Sequence, residues 1–275
     1  MASEAGLLLV GIPVFLWTMI PIYHMFLFAI SSKDSAMSGR LWPEQPTLQN
    51  FEMVFRQQHH YLEHFWSQLG SSTLIAFAVG ALTLLVSSLA AFAISRLRVS
   101  GGRWLMNAAL FTYFIPAAFL AVPMYKAMAN YRLLDTRLAM ILAMTTLATP
   151  YAIWVLKQAS DKLPIELDEA AIIDGASAFQ LFRLVYLPLI TPAMVAIGIY
   201  AVLLAWNEYL YAFLLMSKEA EVPLSVALGL FLSADDSPWE LLMATGFIYA
   251  LPPAAIYYAF KRYMVGGLTA GSVKA

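Results

Sequence analysis

The sequence predicts an all-α, multi-pass membrane protein, and three observations carry that expectation. The chain is 61% hydrophobic and 12% charged, where soluble domains run at about 45–50% and 25%. Its mean hydropathy is +0.71. Six stretches are long and apolar enough, at about 20 residues, to cross about 30 Å of hydrocarbon as helices: Gly6–Ile30, Ser71–Ser95, Arg103–Tyr125, Leu138–Val155, Leu187–Met216 and Leu241–Phe260. They divide the 275 residues into a first span with an external segment (1–70), a five-helix core (71–262) and a C-terminal tail (263–275).

The first run lacks a basic flank and is too long for the apolar part of a signal peptide, so it is expected to be a retained span. Pro13 and Pro21 should kink it, which membrane helices tolerate when neighbours satisfy the freed carbonyls. In the external segment Ser31–Gly70, the prolines of Leu41–Thr47 predict turns and extended chain. Apolar residues then recur at helical spacing, as Leu48, Phe51, Val54 and Phe55, and again as Leu62, Phe65, Trp66 and Leu69. They predict amphipathic helices on the membrane surface or on a partner subunit. His60 and His64 share a helical face beside His59, but no acidic constellation or cysteine lies nearby, so no metal is expected.

Pro116 and Pro123 interrupt the third span and Pro150 the fourth. Broken helices of this kind either line a pathway or are packing kinks. The fifth span holds Trp206-Asn207-Glu208-Tyr209. An acid inside an apolar helix costs about 2.5–3.5 kcal/mol on insertion scales, so Glu208 should face protein or water. The quartet suits a polar, aromatic lining for a hydroxyl-rich solute. A hydrogen-bonded helix pair, or a residue snorkelling to the outer interface, fits Glu208 as well.

Between the fourth and fifth spans lies Leu163–Pro192, the longest charged, helix-prone segment between apolar runs. Pro164 suits a first helical turn, and Glu166, Asp168 and Glu169 suit the positive end of a helix dipole. Gly175 after Asp174 is a C-terminal stop, and a second short helix, Ser177–Leu184, should follow. The segment reads as helix, glycine turn and helix on one side of the bilayer, where Ala170 and Ala171 leave a low surface open to a soluble partner.

Basic residues orient the chain. Arg96, Arg98, Arg103, Lys157, Lys162, Arg183, Lys261, Arg262 and Lys274 fall on the side of this elbow, against Lys33, Arg40, Arg56, Lys126, Arg132, Arg137 and Lys218. The tight arginine loop decides the margin, which puts the elbow and both termini in the cytoplasm. A net charge of −1 with no basic stripe argues against nucleic acid. Zero cysteines exclude disulfides and thiolate chemistry. The chain lacks GxxxxGK[ST], HExxH and GxSxG, so an enzyme is not expected.

Glu169-Ala170-Ala171, Gly175 and Val185-x-Leu187-Pro188 resemble the EAA loop of ABC importer permeases, with Val185 where the family pattern has isoleucine. The C-terminal KRYMVGGLTAGSVKA is similar to the tail of the sugar-importer branch. The resemblance implies the ABC type I importer permease fold, with a cytoplasmic coupling helix, in a bacterial inner membrane. Glu169, Ala170, Ala171, Asp174, Gly175, Leu187 and Pro188 would then couple to ATPase subunits. Gly267, Leu268, Thr269, Ala270 and Gly271 would dock the tail at the ATPase dimer, where a disordered end is the plainer reading. The implied partners are a second, homologous permease subunit, two ATP-binding cassette subunits carrying ATP and Mg, a soluble or lipid-anchored sugar-binding protein, and membrane lipid. The acidic loop Ser217–Glu240, with a short apolar helix at Leu224–Leu232, either reaches the binding protein or merely connects spans. The competing class is a stand-alone ion-coupled carrier with Glu208 as its ion site.

Overall fold

A computed structural model describes residues 4–233 and 237–269, with side chains from 8 to 233 and from 237 to 261. Long helices dominate: α1 (Glu4–Ala29), α2 (Gln49–Phe55), α3 (Phe65–Ser95), α4 (Gly102–Phe111), α5 (Ala117–Asn130), α6 (Arg137–Asp161), α7 (Glu166–Ile173), α8 (Ala178–Trp206), α9 (Leu210–Leu215), α10 (Leu224–Leu230) and α11 (Trp239–Thr269). No strand occurs among the described residues. Five helices there are long and apolar enough to cross a membrane, and a sixth span results if the bent pair α4–α5 is taken as one.

The chain forms two compact units, residues 1–69 with 226–252, and residues 70–225 with 253–275. The stretch 226–252 groups with the N-terminal segment.

In the first unit, α1 runs on through Pro13 and Pro21, and its side chains from Leu8 to Ile22 are exposed, Trp17 at 80%. An all-apolar exposed helix is what lipid or a partner subunit covers. The C-terminal end of α1 is closed by buried Asn50, whose Nδ2 donates to the carbonyls of Ala29 (2.9 Å) and Ser31 (2.8 Å). One of the two expected amphipathic helices is α2. The other, around Leu62–Leu69, is instead a 3-10 turn that leads into the start of α3, because nothing between Phe65 and Ser71 stops a helix. Phe55 stacks on Trp66 at 5.8 Å, and Trp66 Nε1 donates to the Phe55 carbonyl at 3.0 Å. The His59 and His60 rings lie 4.3 Å apart, and His60 lies 4.0 Å from Tyr61. The described residues hold no cluster of three metal-ligating side chains.

In the second unit, the third span is not straight. Helix α4 passes through a 3-10 turn, Thr112–Phe114, and the chain then bends by 108° into α5. Ile115 is extended at φ −88°, ψ 118°, the conformation that the ring of a following proline imposes. Of the three prolines expected to interrupt spans, only Pro116 breaks its helix. Pro123 and Pro150 lie inside α5 and α6.

The fifth span also departs from expectation. The short helix after the glycine turn is continuous with it, so α8 runs from Ala178 to Trp206. Its second turn, Leu181–Tyr186, is π-helical. Pro188 explains this: its ring crowds the carbonyl four residues back, and the missing N–H leaves that carbonyl free, so the preceding turn widens. The far end of the expected span, Leu187–Met216, is a separate helix, α9, beyond a break at residues 207–209. Helices α3 and α8 cross closely at two glycines. A Cβ on Gly80 would stand 2.7 Å from Val202 Cγ2, and one on Gly198 would stand 3.1 Å from Leu84 Cδ1. Small residues at such crossings let membrane helices pack by van der Waals contact.

Candidate coupling elbow and membrane pathway

The elbow is built from local signals and fixed by one distant ion pair. The N–H groups of Asp168 and Glu169 donate to the Ile165 carbonyl (3.0 and 3.1 Å), which opens α7. Asp174 N donates to Ala170 O (3.0 Å), Gly175 N to Ile172 O (3.0 Å) and Ala176 N to Ala171 O (2.9 Å), which close it. Gly175 sits at φ +84° with open space around its Cα, a conformation that glycine alone takes without cost. A capping box restarts the chain: Ser177 N donates to Gln180 Oε1 (2.8 Å) and Gln180 N to Ser177 Oγ (3.3 Å).

One face of α7 is anchored. Asp168 is buried and its Oδ2 lies 3.0 Å from Arg96 Nη1, with side chains 9% and 6% exposed. Arg96 Nη2 also donates to the carbonyls of Ser160 (3.1 Å) and Leu163 (3.2 Å), at the end of α6 and just beyond it. The Ser95 and Ser160 hydroxyls meet at 2.6 Å. Ala171 and Leu163 pack on a buried cluster of Ala91, Phe92, Leu156, Leu181, Phe182 and Tyr186. Phe92, Phe182 and Tyr186 meet as a ring triad with centroids 5.0–5.9 Å apart. The elbow is therefore tied by packing to α3, α6 and α8 at once.

The other face is bare. Glu169, Ala170, Asp174 and Gly175 are exposed, as are Ile172 (60%), Ile173 (85%) and Phe179 (67%). Contiguous exposed apolar side chains beside a glycine turn mark a surface that a partner covers. Of the residues singled out in the sequence, Ala171 is turned partly inward, Leu187 is half-buried in the cluster and Pro188 is exposed at the start of the α-helical part of α8. The tail segment Gly267–Gly271 lies outside the described side chains, and Ala270 and Gly271 lie outside the described residues altogether.

The quartet at the far end of α8 divides. Trp206 is 1% exposed, covered by the chain itself. Asn207 ends α8, its Nδ2 donating to the Leu203 carbonyl at 2.9 Å. Glu208 is not inside a helix: its Oε1 accepts the Tyr211 N–H (3.0 Å) at the start of α9, and its carbonyl accepts the Ser225 hydroxyl (2.8 Å). Tyr209 is half-exposed and stacks on Phe213 at 5.7 Å. Beyond α9, Asp135 accepts from the N–H of Ser217 (2.7 Å) and from its hydroxyl. These two bonds hold the Asp135 carboxyl below its ordinary range.

The sequence reading passed over two features. One is the Arg96–Asp168 pair, because Arg96 counted only as a topology charge and Asp168 only as a helix-dipole acid. The other is an aromatic cluster where α6, α8 and the turn after α4 converge: Tyr151 lies 4.9 Å from Tyr200 and 6.1 Å from Trp154, and the Tyr113 hydroxyl lies 3.5 Å from that of Tyr200. Tyr113 also donates to the Leu147 carbonyl (2.7 Å). Tyr113 and Trp154 are 46% and 37% exposed. The i, i+3 spacing of Tyr151 and Trp154 was the available signal.

Fold and site together define an all-helical, multi-pass membrane component with a broken third span and an elbow between its fourth and fifth. Residues 83–269 match the sequence profile of the binding-protein-dependent transport system inner membrane component. The chain belongs to that family, the ABC transporter permeases. It is 31% identical to the inner membrane ABC transporter permease protein YcjP of Escherichia coli strain K12, over 96% of this chain and 94% of that one. It is 30% identical to the trehalose transport system permease protein SugB of Mycobacterium tuberculosis, covering 94% and 93%. The fold is the ABC type I importer permease fold. A chain of a bacterial ABC transporter involved in the import of the acidic polysaccharide alginate superposes with a TM-score of 0.80 at 24% identity, over 94% of this chain and 95% of that one.

Proposed function

We propose that this chain is the membrane-spanning permease subunit of an ATP-driven sugar importer, with a disaccharide or oligosaccharide as its solute. The observation that carries the reading is the elbow: a short helix buried on one face by Arg96–Asp168 and the Phe92–Phe182–Tyr186 cluster, and bare and apolar on the other. A helix clamped to three spans transmits displacement, and its bare face is where two ATP-binding cassette subunits deliver it. ATP and Mg are held by those partner chains, since this chain has no phosphate-cradling motif.

Geometry and likeness support the same reading of the rest of the assembly. Six spans make half of an alternating-access pore, so a second, homologous permease completes it, and a soluble or lipid-anchored binding protein delivers the solute. The elbow and both termini lie in the cytoplasm on the basic-residue count. Carbohydrate as the solute class is supported by the relative named for trehalose transport and by the aromatic cluster Tyr113–Tyr151–Trp154–Tyr200, whose hydroxyls and ring faces suit a sugar. The ion-carrier alternative loses support, because the Glu208 carboxylate is engaged in starting α9.

The test is purification of the tagged chain from its native membrane, followed by uptake in proteoliposomes. Co-purification of an ATPase chain and a second permease, with sugar uptake that needs ATP and the binding protein, is expected. Uptake by this chain alone, driven by a pH gradient, would overturn the proposal.

A further inference from the structure

Within the second unit, a groove of about 690 Å³ runs along α8, open to the surface. Its floor is one helical face, carrying Arg183, Leu187, Thr191, Met194, Val195 and Gly198, and its walls come from Phe77 and Leu84 of α3 and Ile256 and Phe260 of α11. The volume falls within the range of about 300–1,000 Å³ typical of small-ligand sites. From Arg183 to Val202 the lining positions on α8 extend about 28 Å at 1.5 Å per residue. Half of a 30 Å hydrocarbon core is about 15 Å, so the groove is longer than one leaflet's acyl region is deep.

Its chemistry is lopsided. Every lining residue except Arg183 and Thr191 is apolar. Arg183 stands in the π-helical turn at one extremity, exposed, with no ion pair among the described residues. A greasy channel between spans, ending in a guanidinium with no ion pair among the described residues, complements one kind of molecule: an acyl chain joined to an anionic head. Guanidinium groups bind phosphate oxygens through paired N–H donors, and basic pockets between spans on the cytoplasmic side select anionic lipids.

We propose that this groove holds a structural anionic phospholipid, its phosphate on Arg183 and one acyl chain along Thr191–Gly198. The leaflet, though not the lipid, rests on the cytoplasmic placement of the elbow proposed above. Occupancy would brace α8 where its π-turn joins the elbow, so lipid composition would tune the stiffness of that joint.

The test uses the complete importer, reconstituted in vesicles of equal phosphatidylglycerol and phosphatidylcholine, then extracted and examined by native mass spectrometry. Wild type is expected to retain phosphatidylglycerol over phosphatidylcholine. Arg183→Gln should lower that preference about fivefold, the size set by one basic residue near an anionic surface, while Arg183→Lys keeps most of it. Thr191→Trp, which fills the channel, should remove the bound lipid of either kind. Equal retention of both lipids by wild type, or an unchanged preference in Arg183→Gln, would overturn the proposal. So would cross-linking of Thr191→Cys, in a chain with no cysteine of its own, to a second permease, which would put protein in the groove. The readout is lipid count, so a failure of the transport reading leaves it intact and the two outcomes are separable.

Discussion

Removing Arg96 should free the elbow from the membrane-spanning helices without preventing insertion. Asp168 and Arg96 are less than a tenth exposed and 3.0 Å apart, so Arg96→Met leaves a carboxylate buried without its counter-ion. Breaking a buried pair by removing one partner costs about 3–5 kcal/mol. The two carbonyl bonds from Nη2 to Ser160 and Leu163 are lost as well, each worth about 1.5–3 kcal/mol as hydrogen bonds to a charged group. These terms overlap, and the chain relaxes, so the expected destabilisation is about 3–5 kcal/mol, concentrated on residues 163–176. Hydrogen exchange of the purified importer measures it directly. The amides of Asp174, Gly175 and Ala176, which close α7, should lose protection in the single variant, and ATP hydrolysis should continue without uptake. The double variant Arg96→Met/Asp168→Leu should recover part of the loss, with a coupling of about 0.5–3 kcal/mol. If Arg96→Met shifts stability by no more than about 0.5 kcal/mol, the size of an ordinary surface change, and elbow exchange is unaltered, the clamp does not exist.

Gly175→Pro should abolish uptake while the protein still reaches the membrane, because φ +84° is closed to a ring fixed near −65°; membrane fractionation with an uptake assay checks both halves. Gly80→Ala places a Cβ at 2.7 Å from Val202 Cγ2 and should cost about 1–3 kcal/mol by overpacking, read as a lower unfolding temperature in detergent and largely restored by Val202→Ala. The Asp135–Ser217 contact should stabilise the loop after α5 in a pH-dependent way. The folded carboxyl titrates below its ordinary value of 3.8, so its contribution is complete above that value and falls away as pH drops through it towards the lower folded one. Ser217→Ala, which removes the hydroxyl but keeps the N–H, should shrink that acid-dependent loss in limited proteolysis; an unchanged acid profile would show that the hydroxyl bond contributes nothing.

Span positions were legible because crossing a bilayer is a local requirement. About 20 apolar residues in a row meet it whatever their neighbours, and Leu138–Val155 and Leu241–Phe260 fall inside α6 and α11. Gly175 and the acids before it were legible for the same reason, since caps and turns are decided within four or five residues. The start of α3 was misjudged because the sequence carried no stop signal, only a change from an amphipathic to an all-apolar pattern.

By itself, then, the sequence determined the membrane class, the order of the spans and the helix–glycine elbow, all of them consequences of interactions between residues close along the chain. Tertiary structure decided which proline breaks its helix, that Glu208 starts α9 instead of standing in an apolar span, and that Arg96 meets Asp168. Each depends on a partner far away in the sequence, or on whether neighbouring helices can satisfy a freed carbonyl. No periodicity in a single chain encodes those partners, because they become neighbours only when the spans pack.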